Sequence, residues 1–174
     1  MKVFQYKDAR FLELRESILE TEELERIYGI EIPPIYKSFV SVFQNLKGES
    51  FIDYQDGKPK TLGHYVYFKD GETDIMLDGF MPIEESLKFR KNADAWMENN
   101  VMPIGNHPHG GVLMIGFSEE NLDKVFFEYE HGVEYLESNI LAFIAKIKFK
   151  LISEVELNEL IKGWGEEHWR KKKT

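Results

Sequence analysis

The chain has 174 residues, of which 43% are hydrophobic, 14% aromatic and 30% charged, a balance typical of one globular domain with a substantial core. It contains no cysteine, which excludes a disulfide scaffold, a Cys-ligated metal site and a thiol nucleophile. The 31 Asp and Glu residues outnumber the 22 Lys and Arg residues, and this excess disfavours binding to nucleic acid or to an anionic membrane, which both require neutralisation of phosphate groups.

The formal net charge is −9, and four of the 22 basic residues lie together at positions 170–173. Without these four the rest of the chain carries −13. Charge of this sign attracts basic proteins and accelerates their association, although it can also simply keep a protein soluble. The N-terminal sequence lacks the apolar stretch of a signal peptide, and no window has about 20 apolar residues, so we expect a cytoplasmic protein with no membrane contact.

Helical patterning dominates the first part of the chain. An early helix is predicted by apolar residues at helical spacing, namely Phe11, Leu14 and Ile18. Thr21, followed by two glutamates, predicts the N-cap of a helix that Gly29 ends. The residues of this helix expected to face the core are Leu24, Ile27 and Tyr28. Pro34 is predicted to lie in the first turn of the next helix, which would end near Gly48.

Strand patterning dominates the middle of the chain. Three short apolar runs, at residues 51–54, 65–68 and 75–77, are separated by Asp-Gly pairs at 56–57, 70–71 and 78–79. Because both residues of such a pair tolerate positive φ, these positions are predicted hairpin turns. Pro82 with two following glutamates then predicts a helix through about Met97.

A central strand is predicted at residues 112–117, whose apolar residues fall on both alternations, with an antiparallel neighbour at 125–129. Helical spacing returns from Ser138 and continues to Leu151, and a capping box at Ser153 predicts a further helix. We therefore expect an α+β fold, with N-terminal helices, a central mostly antiparallel sheet and C-terminal helices packed on the sheet. One domain would span residues 1–162, with a short basic tail at 163–174.

Motifs that carry chemistry are scarce. The sequence has no nucleophile elbow, P-loop, Rossmann glycine fingerprint or H-E-x-x-H motif. His107 and His109, with His131 as a third ligand, could hold a zinc ion, but a turn rich in His, Pro and Gly at the entry to a strand explains the same residues without a metal and is the favoured interpretation. Pairs of carboxylates such as Glu128 and Glu130 fit a solvated face, since acidic residues are so numerous.

Two stretches carry a resemblance to a known family. The first is residues 25–39 (ERIYGIEIPPIYKSF) followed by 45–48 (NLKG). The second is 102–105 (MPIG), 110–116 (GGVLMIG) and 124–131 (KVFFEYEH). Together they resemble the SUKH superfamily, which includes the Smi/Knr-type cell-wall assembly regulators. The resemblance covers residues 20–150 and departs from the family at Val112, where members often carry Asp or Asn.

The resemblance implies a binding protein. Many bacterial members are immunity proteins that neutralise a cognate toxin, often a nuclease, by direct binding, whereas fungal relatives regulate cell-wall synthesis. We therefore expect a non-enzymatic immunity protein, with no catalytic residue, cofactor or metal ion, whose partner is a cognate toxin or another basic protein. The candidate contact residues are the acidic ones on and beside the turn between the two central strands, namely Glu119, Glu120, Asp123, Glu128 and Glu130.

Two alternatives stay open at this point. One is a regulatory scaffold in cell-wall or glucan synthesis, which would use the same surface. The other is a small metal-dependent hydrolase built on His107, His109 and His131.

Overall fold

The computed structural model describes residues 5–6, 9–10, 12–44, 46–47, 51–55, 58–69, 73–77, 79–107, 110–129 and 132–152. The helices in these ranges are α1 (Glu22–Tyr28), α2 (Pro34–Val42), α3 (Ile83–Lys91), α4 (Asp94–Glu98) and α5 (Ile140–Ala145). The strands are β1 (Gln5–Tyr6), β2 (Ala9–Arg10), β3 (Glu13–Leu14), β4 (Phe43–Gln44), β5 (Leu46–Lys47), β6 (Phe51–Gln55), β7 (Lys58–Lys69), β8 (Thr73–Leu77), β9 (Gly79–Phe80), β10 (Val101–Asn106), β11 (Val112–Gly116), β12 (Val125–Tyr129), β13 (Gly132–Glu137) and β14 (Ile147–Ile152). Helices and antiparallel sheets thus occur together, and the predicted α+β class is confirmed.

The larger sheet has six strands in the order β13-β12-β11-β10-β9-β5, and each neighbouring pair is antiparallel. The predicted central hairpin is confirmed, because Met114 of β11 pairs with Phe126 of β12. The middle of β11 is buried on both faces, as its unbroken apolar sequence predicts. This sheet positions the β11–β12 turn, which forms part of the candidate site.

The second sheet is built around the 12-residue strand β7. β14 pairs along one edge of β7, while β6 and β8 share the other edge. The hairpins predicted at 56–57 and 70–71 agree with the pairs Gln55–Lys58 and Lys69–Thr73, although the turn residues themselves lie outside the described ranges. The hairpin predicted at 78–79 is wrong, since β8 pairs with β7 and β9 pairs with β10, so the chain crosses here between sheets.

Residues 12–20 form no helix, and the prediction of an early helix is wrong. The N–H groups of Arg15 and Leu19 donate hydrogen bonds of 2.9 Å to the carbonyls of Val42 and Ser41. These carbonyls lie in the last turn of α2, where a helix has no internal donors left to satisfy them. The segment therefore runs along the end of α2 and completes the hydrogen bonding of that helix.

The start and end of α1 agree with the prediction. Gly29 closes the helix in the left-handed conformation, with φ of 62°, while the Thr21 side chain makes no capping hydrogen bond. Leu24 and Tyr28 pack partly against the core, but Ile27 is 58% exposed, so its predicted core position is wrong.

The other helices are shorter than predicted. α2 begins at Pro34 as predicted but ends at Val42, after which the chain forms β4 and β5. The helix predicted from Pro82 to Met97 is divided into α3 and α4, because Ala93 has an extended backbone.

The helix predicted from Ser138 to Leu151 stops after six residues, at Ala145. The chain then forms β14, in which apolar residues and lysines alternate with period two, as in a half-buried strand. This alternation competes with the helical spacing of the same residues, and pairing with β7 decides the outcome. The helix predicted from Ser153 lies outside the described residues.

One apolar core connects the two sheets and the helices between them. The ring of Phe143 in α5 stacks on Tyr67 of β7 at 4.6 Å and contacts Phe80 of β9 edge-on at 6.3 Å. Phe80 in turn meets Phe39 of α2 at 5.8 Å. Within the described ranges, none of the helices has the length and apolar character needed to cross a bilayer.

Candidate binding groove

A groove of about 920 Å³ lies between two loops that are far apart in the sequence. One wall is the connection from α1 to α2, at residues 29–34, and the other contains Phe117, Glu119 and Leu122 from the β11–β12 turn. We call this feature the groove.

The α1–α2 wall is held by Glu25. Its backbone carbonyl accepts the N–H of Ile30 at 3.1 Å, and its Oε1 accepts the N–H of Ile32 at 2.8 Å. Ile32 is buried, and the Pro33-Pro34 pair leads directly into α2. The wall is therefore tied to both helices on either side of it.

Lys37 of α2 joins this network. Its Nζ lies 2.8 Å from Oε2 of Glu25 and 3.1 Å from Oε1 of Glu22. Hydrogen bonds to these two carboxylates raise the pKa of Lys37, and backbone hydrogen bonding together with the Lys37 ammonium lowers the pKa of Glu22. The positive charge of Lys37 is thus compensated within the protein.

The opposite wall is a turn ordered by Asn121. Its Oδ1 accepts the N–H of Ser118 at 2.7 Å and the Ser118 hydroxyl at 2.9 Å, and its Nδ2 donates to the carbonyl of Asn100 at 3.2 Å. A Cβ at Gly116 would overlap the backbone of Asn121, so the close approach of the turn to β11 requires glycine there. The turn is therefore a fixed surface.

Asp123 connects the two walls. Its side chain is only 4% exposed, and its Oδ1 and Oδ2 accept the N–H groups of Tyr36 at 2.9 Å and Ile35 at 3.1 Å. These N–H groups belong to the first turn of α2, where Pro33 occupies the N-cap position and offers no side-chain acceptor. Asp123 therefore supplies the missing cap from the other wall.

The groove combines apolar and acidic groups with two basic residues, Arg26 and Lys37. Ile30 and Phe117 are partly buried against the core, and Leu122 is 44% exposed. Glu31 on one wall and Glu119 on the other are exposed, and neither makes an ion pair with any residue in the part of the chain that the structure describes. An apolar surface between two uncompensated carboxylates can accommodate a cation attached to an apolar segment.

Phe117 is supported from behind by α3. The guanidinium of Arg90 lies 5.0 Å from the centre of the Phe117 ring, within the range of a cation–π interaction. Burial lowers the pKa of Arg90, because the charged form loses hydration. The aromatic ring beside the groove is thus held between the core and a cationic side chain.

The four candidate contact residues that the structure describes lie in different surroundings. Glu119 lines the groove and Glu120 lies on the same turn, exposed. Asp123 is buried and caps α2, so its side chain is not available to a partner. Glu128 pairs with Val112 and Val133 in the sheet, roughly 13 Å along β12 from the turn, and Glu130 lies outside the described residues.

Sequence reasoning missed Glu31 as a groove residue. It treated residues 29–34 only as scaffold, because glycine and two prolines explain the backbone there. Glu31 could have been identified from its position between Ile30 and Ile32, just before the Pro-Pro pair. In an extended segment neighbouring side chains point to opposite sides, so an acidic residue between two isoleucines is expected to face outwards.

Of the three candidate zinc ligands, the structure describes only His107. The ring of His107 packs at 5.6 Å from Phe127 and 5.5 Å from Tyr129, at the β10–β11 hairpin, whereas His109 and His131 lie outside the described residues. No group of three or more His, Cys, Asp or Glu residues that could hold a metal ion occurs in the part that is described.

No family model matches the sequence, and no curated protein matches it either.

Proposed function

We propose that this protein acts by binding a basic protein in the groove and that it is an immunity protein which neutralises a toxin without catalysing a reaction. The observation that carries the proposal is that Glu31 and Glu119, which make no ion pair among the described residues, lie on the two walls of a groove that also contains apolar side chains. Apolar burial supplies affinity at such a site, and the charges select a cationic partner.

The charge of the whole chain supports the same partner. A net charge of −9 attracts a basic protein over a distance of about 10 Å at moderate ionic strength and accelerates encounter. A nuclease presents a basic cleft that binds phosphate groups, so an acidic surface can occupy that cleft. The resemblance of residues 20–150 to SUKH immunity proteins favours a toxin of this type, and the lack of cysteine fits a cytoplasmic site of action.

The test is calorimetry between the full chain and the purified product of each neighbouring gene. We expect one of these products to bind, and the double variant Glu31→Lys/Glu119→Lys to weaken binding about 100-fold or more, because two attractive contacts become repulsive. The matched control is Glu16→Lys/Glu98→Lys, which changes the net charge equally at two exposed positions that do not line the groove.

Two results would contradict the proposal: the absence of binding to every neighbouring product, or equal weakening by both double variants. A third measurement addresses the immunity role. The bound partner should lose its toxic activity when the protein is added, whereas groove-dependent binding to a cell-wall synthesis enzyme would instead assign the role of a regulatory scaffold.

A further inference from the structure

We infer that the groove takes a short peptide segment of the partner in which a single arginine lies between Glu31 and Glu119, flanked by apolar residues. This inference rests on the proposed function and specifies the chemistry of the bound segment. A groove of about 920 Å³ is larger than one side chain needs and falls in the size range of sites that hold whole ligands.

The two carboxylates favour arginine over lysine. They belong to opposite walls, one on the α1–α2 connection and the other on the β11–β12 turn. A guanidinium has five N–H donors in a planar fork and can donate to two carboxylates at once, whereas an ammonium is a compact and more strongly hydrated charge. The guanidinium also loses less hydration when it is partly buried against Phe117 and Leu122.

The groove favours only one basic residue in the segment. Arg26 and Lys37 lie on the α1 and α2 side of the groove, and both are cationic. Lys37 is already paired with Glu22 and Glu25, and Arg26 with Glu23, so a second cation placed there would have to compete with ion pairs that the protein already makes. The charge pattern thus orients the segment with its arginine towards the Glu31–Glu119 side.

The walls also offer a main-chain contact and apolar area. The N–H of Glu31 makes no hydrogen bond within the described chain and can donate to a peptide carbonyl. Ile30, Phe117 and Leu122 provide apolar surface for the residues beside the arginine. The expected segment therefore has an apolar-Arg-apolar pattern, with one main-chain acceptor near Glu31.

The probe is the capped peptide acetyl-Leu-Arg-Leu-amide, titrated into the ¹⁵N-labelled full chain and followed by NMR. We expect amide shifts at Ile30, Glu31 and Leu122. The control peptide carries citrulline in place of arginine, which keeps the shape and removes the charge. We expect citrulline to weaken binding about tenfold, because a charge-assisted hydrogen bond is lost at each carboxylate.

Matched variants locate the site. Glu31→Gln/Glu119→Gln should weaken binding of the arginine peptide about tenfold, whereas Glu16→Gln/Glu98→Gln should leave it unchanged. Both pairs replace exposed side chains, and unchanged amide positions elsewhere in the spectrum verify the fold. Equal binding of the two peptides, equal effects of the two variant pairs, or the absence of shifts at the groove would overturn the inference.

Failure of this inference is distinguishable from failure of the proposed function. If a whole partner binds and loses affinity with Glu31→Lys/Glu119→Lys while the arginine peptide produces no shift, the segment chemistry is wrong and the proposed function stands. If the peptide shifts the groove amides in a charge-dependent way and no neighbouring product binds, the segment chemistry stands and the proposed function is wrong.

Discussion

Asp123 caps α2 from a distant part of the chain, because Pro33 at the N-cap position has no side-chain acceptor. The residue lies 88 positions after Ile35, one of its two donors, so the contact cannot be read from local sequence patterns. Its φ of 61° is the left-handed conformation, which Asp tolerates better than most residues with a Cβ. A residue that sequence reasoning placed on a docking surface is therefore part of the framework that fixes the groove.

Substitutions at Asp123 should separate two contributions to the free energy of unfolding, that of the helix cap and that of the left-handed backbone conformation. We expect Asp123→Ala to lower the free energy of unfolding by about 2–4 kcal/mol, since two hydrogen bonds to a carboxylate are lost. Asp123→Gly should cost about 1 kcal/mol less than Asp123→Ala, because glycine adopts the left-handed conformation without strain. Asp123→Asn, which keeps one acceptor oxygen, should be the mildest of the three variants.

Urea unfolding followed by circular dichroism measures these differences. The exposed Glu98→Gln serves as the control and should change the free energy of unfolding by less than about 0.5 kcal/mol. An Asp123→Ala variant as stable as the wild type would show that the two N–H groups of α2 are satisfied equally well by water.

At the scale of elements, the end of α1 and the start of α2 were predictable because each is set by a single residue with a strong backbone preference. Gly29 ends α1 and Pro34 begins α2, and both effects are local. The β11–β12 hairpin was predictable for a different reason. Its apolar runs are too short for helices and flank a polar turn, so only strands fit them.

Other elements depend on partners that the local sequence does not reveal. Backbone N–H groups within residues 12–20 donate to the carbonyls at the end of α2. These residues therefore form no helix, although their apolar residues have helical spacing. Residues 147–152 fit both a helical and an alternating pattern, and their pairing with β7 selects the strand. The groove was half predictable in the same sense. Glu119 was identified from its turn, whereas Glu31 lies on the α1–α2 connection, which the long-range contact of Asp123 with Tyr36 ties to that turn.

Gly29 offers a prediction at this scale. Its φ of 62° requires the left-handed conformation, and a Cβ there would meet no atom within 4 Å, so any cost of Gly29→Ala is conformational. We expect a loss of about 1 kcal/mol in the free energy of unfolding, measured by urea titration. The matched control is Gly132→Ala in β13, where a Cβ also meets nothing within 4 Å and φ lies outside the left-handed region.

Gly132→Ala should be neutral or slightly stabilising, because alanine restricts the unfolded chain. Equal losses in the two variants would mean that the end of α1 relaxes to another conformation. In that case the hydrogen bonds that Glu25 accepts from the N–H groups of Ile30 and Ile32 would also be expected to change.

At the scale of the whole molecule, the two sheets depend on one shared core. Phe143 stacks on Tyr67 of the four-stranded sheet and contacts Phe80 of the six-stranded sheet, and it is fully buried. The sheets are also joined by hydrogen bonds, since the Tyr67 hydroxyl of β7 donates to Oε1 of Glu137 in β13 at 2.8 Å and the Lys69 ammonium donates to the carbonyl of Tyr135 at 3.1 Å. Cooperativity between the sheets therefore passes through the apolar core around Phe143 and through these contacts of β7 with β13.

Removing this ring should destabilise both sheets together. We expect Phe143→Ala to lower the free energy of unfolding by about 3–5 kcal/mol, through lost burial and the cavity that remains. The neighbouring Leu141→Ala, at a position on the same helix that is 46% exposed, should cost less than about 1 kcal/mol.

Amide hydrogen exchange gives the decisive measurement, because it reports each sheet separately. Protection should fall equally at residues 65–67 of β7 and at residues 113–115 of β11 if the sheets unfold as one unit. Faster exchange confined to β7 would instead mean that the six-stranded sheet, together with the groove it positions, is a stable unit on its own.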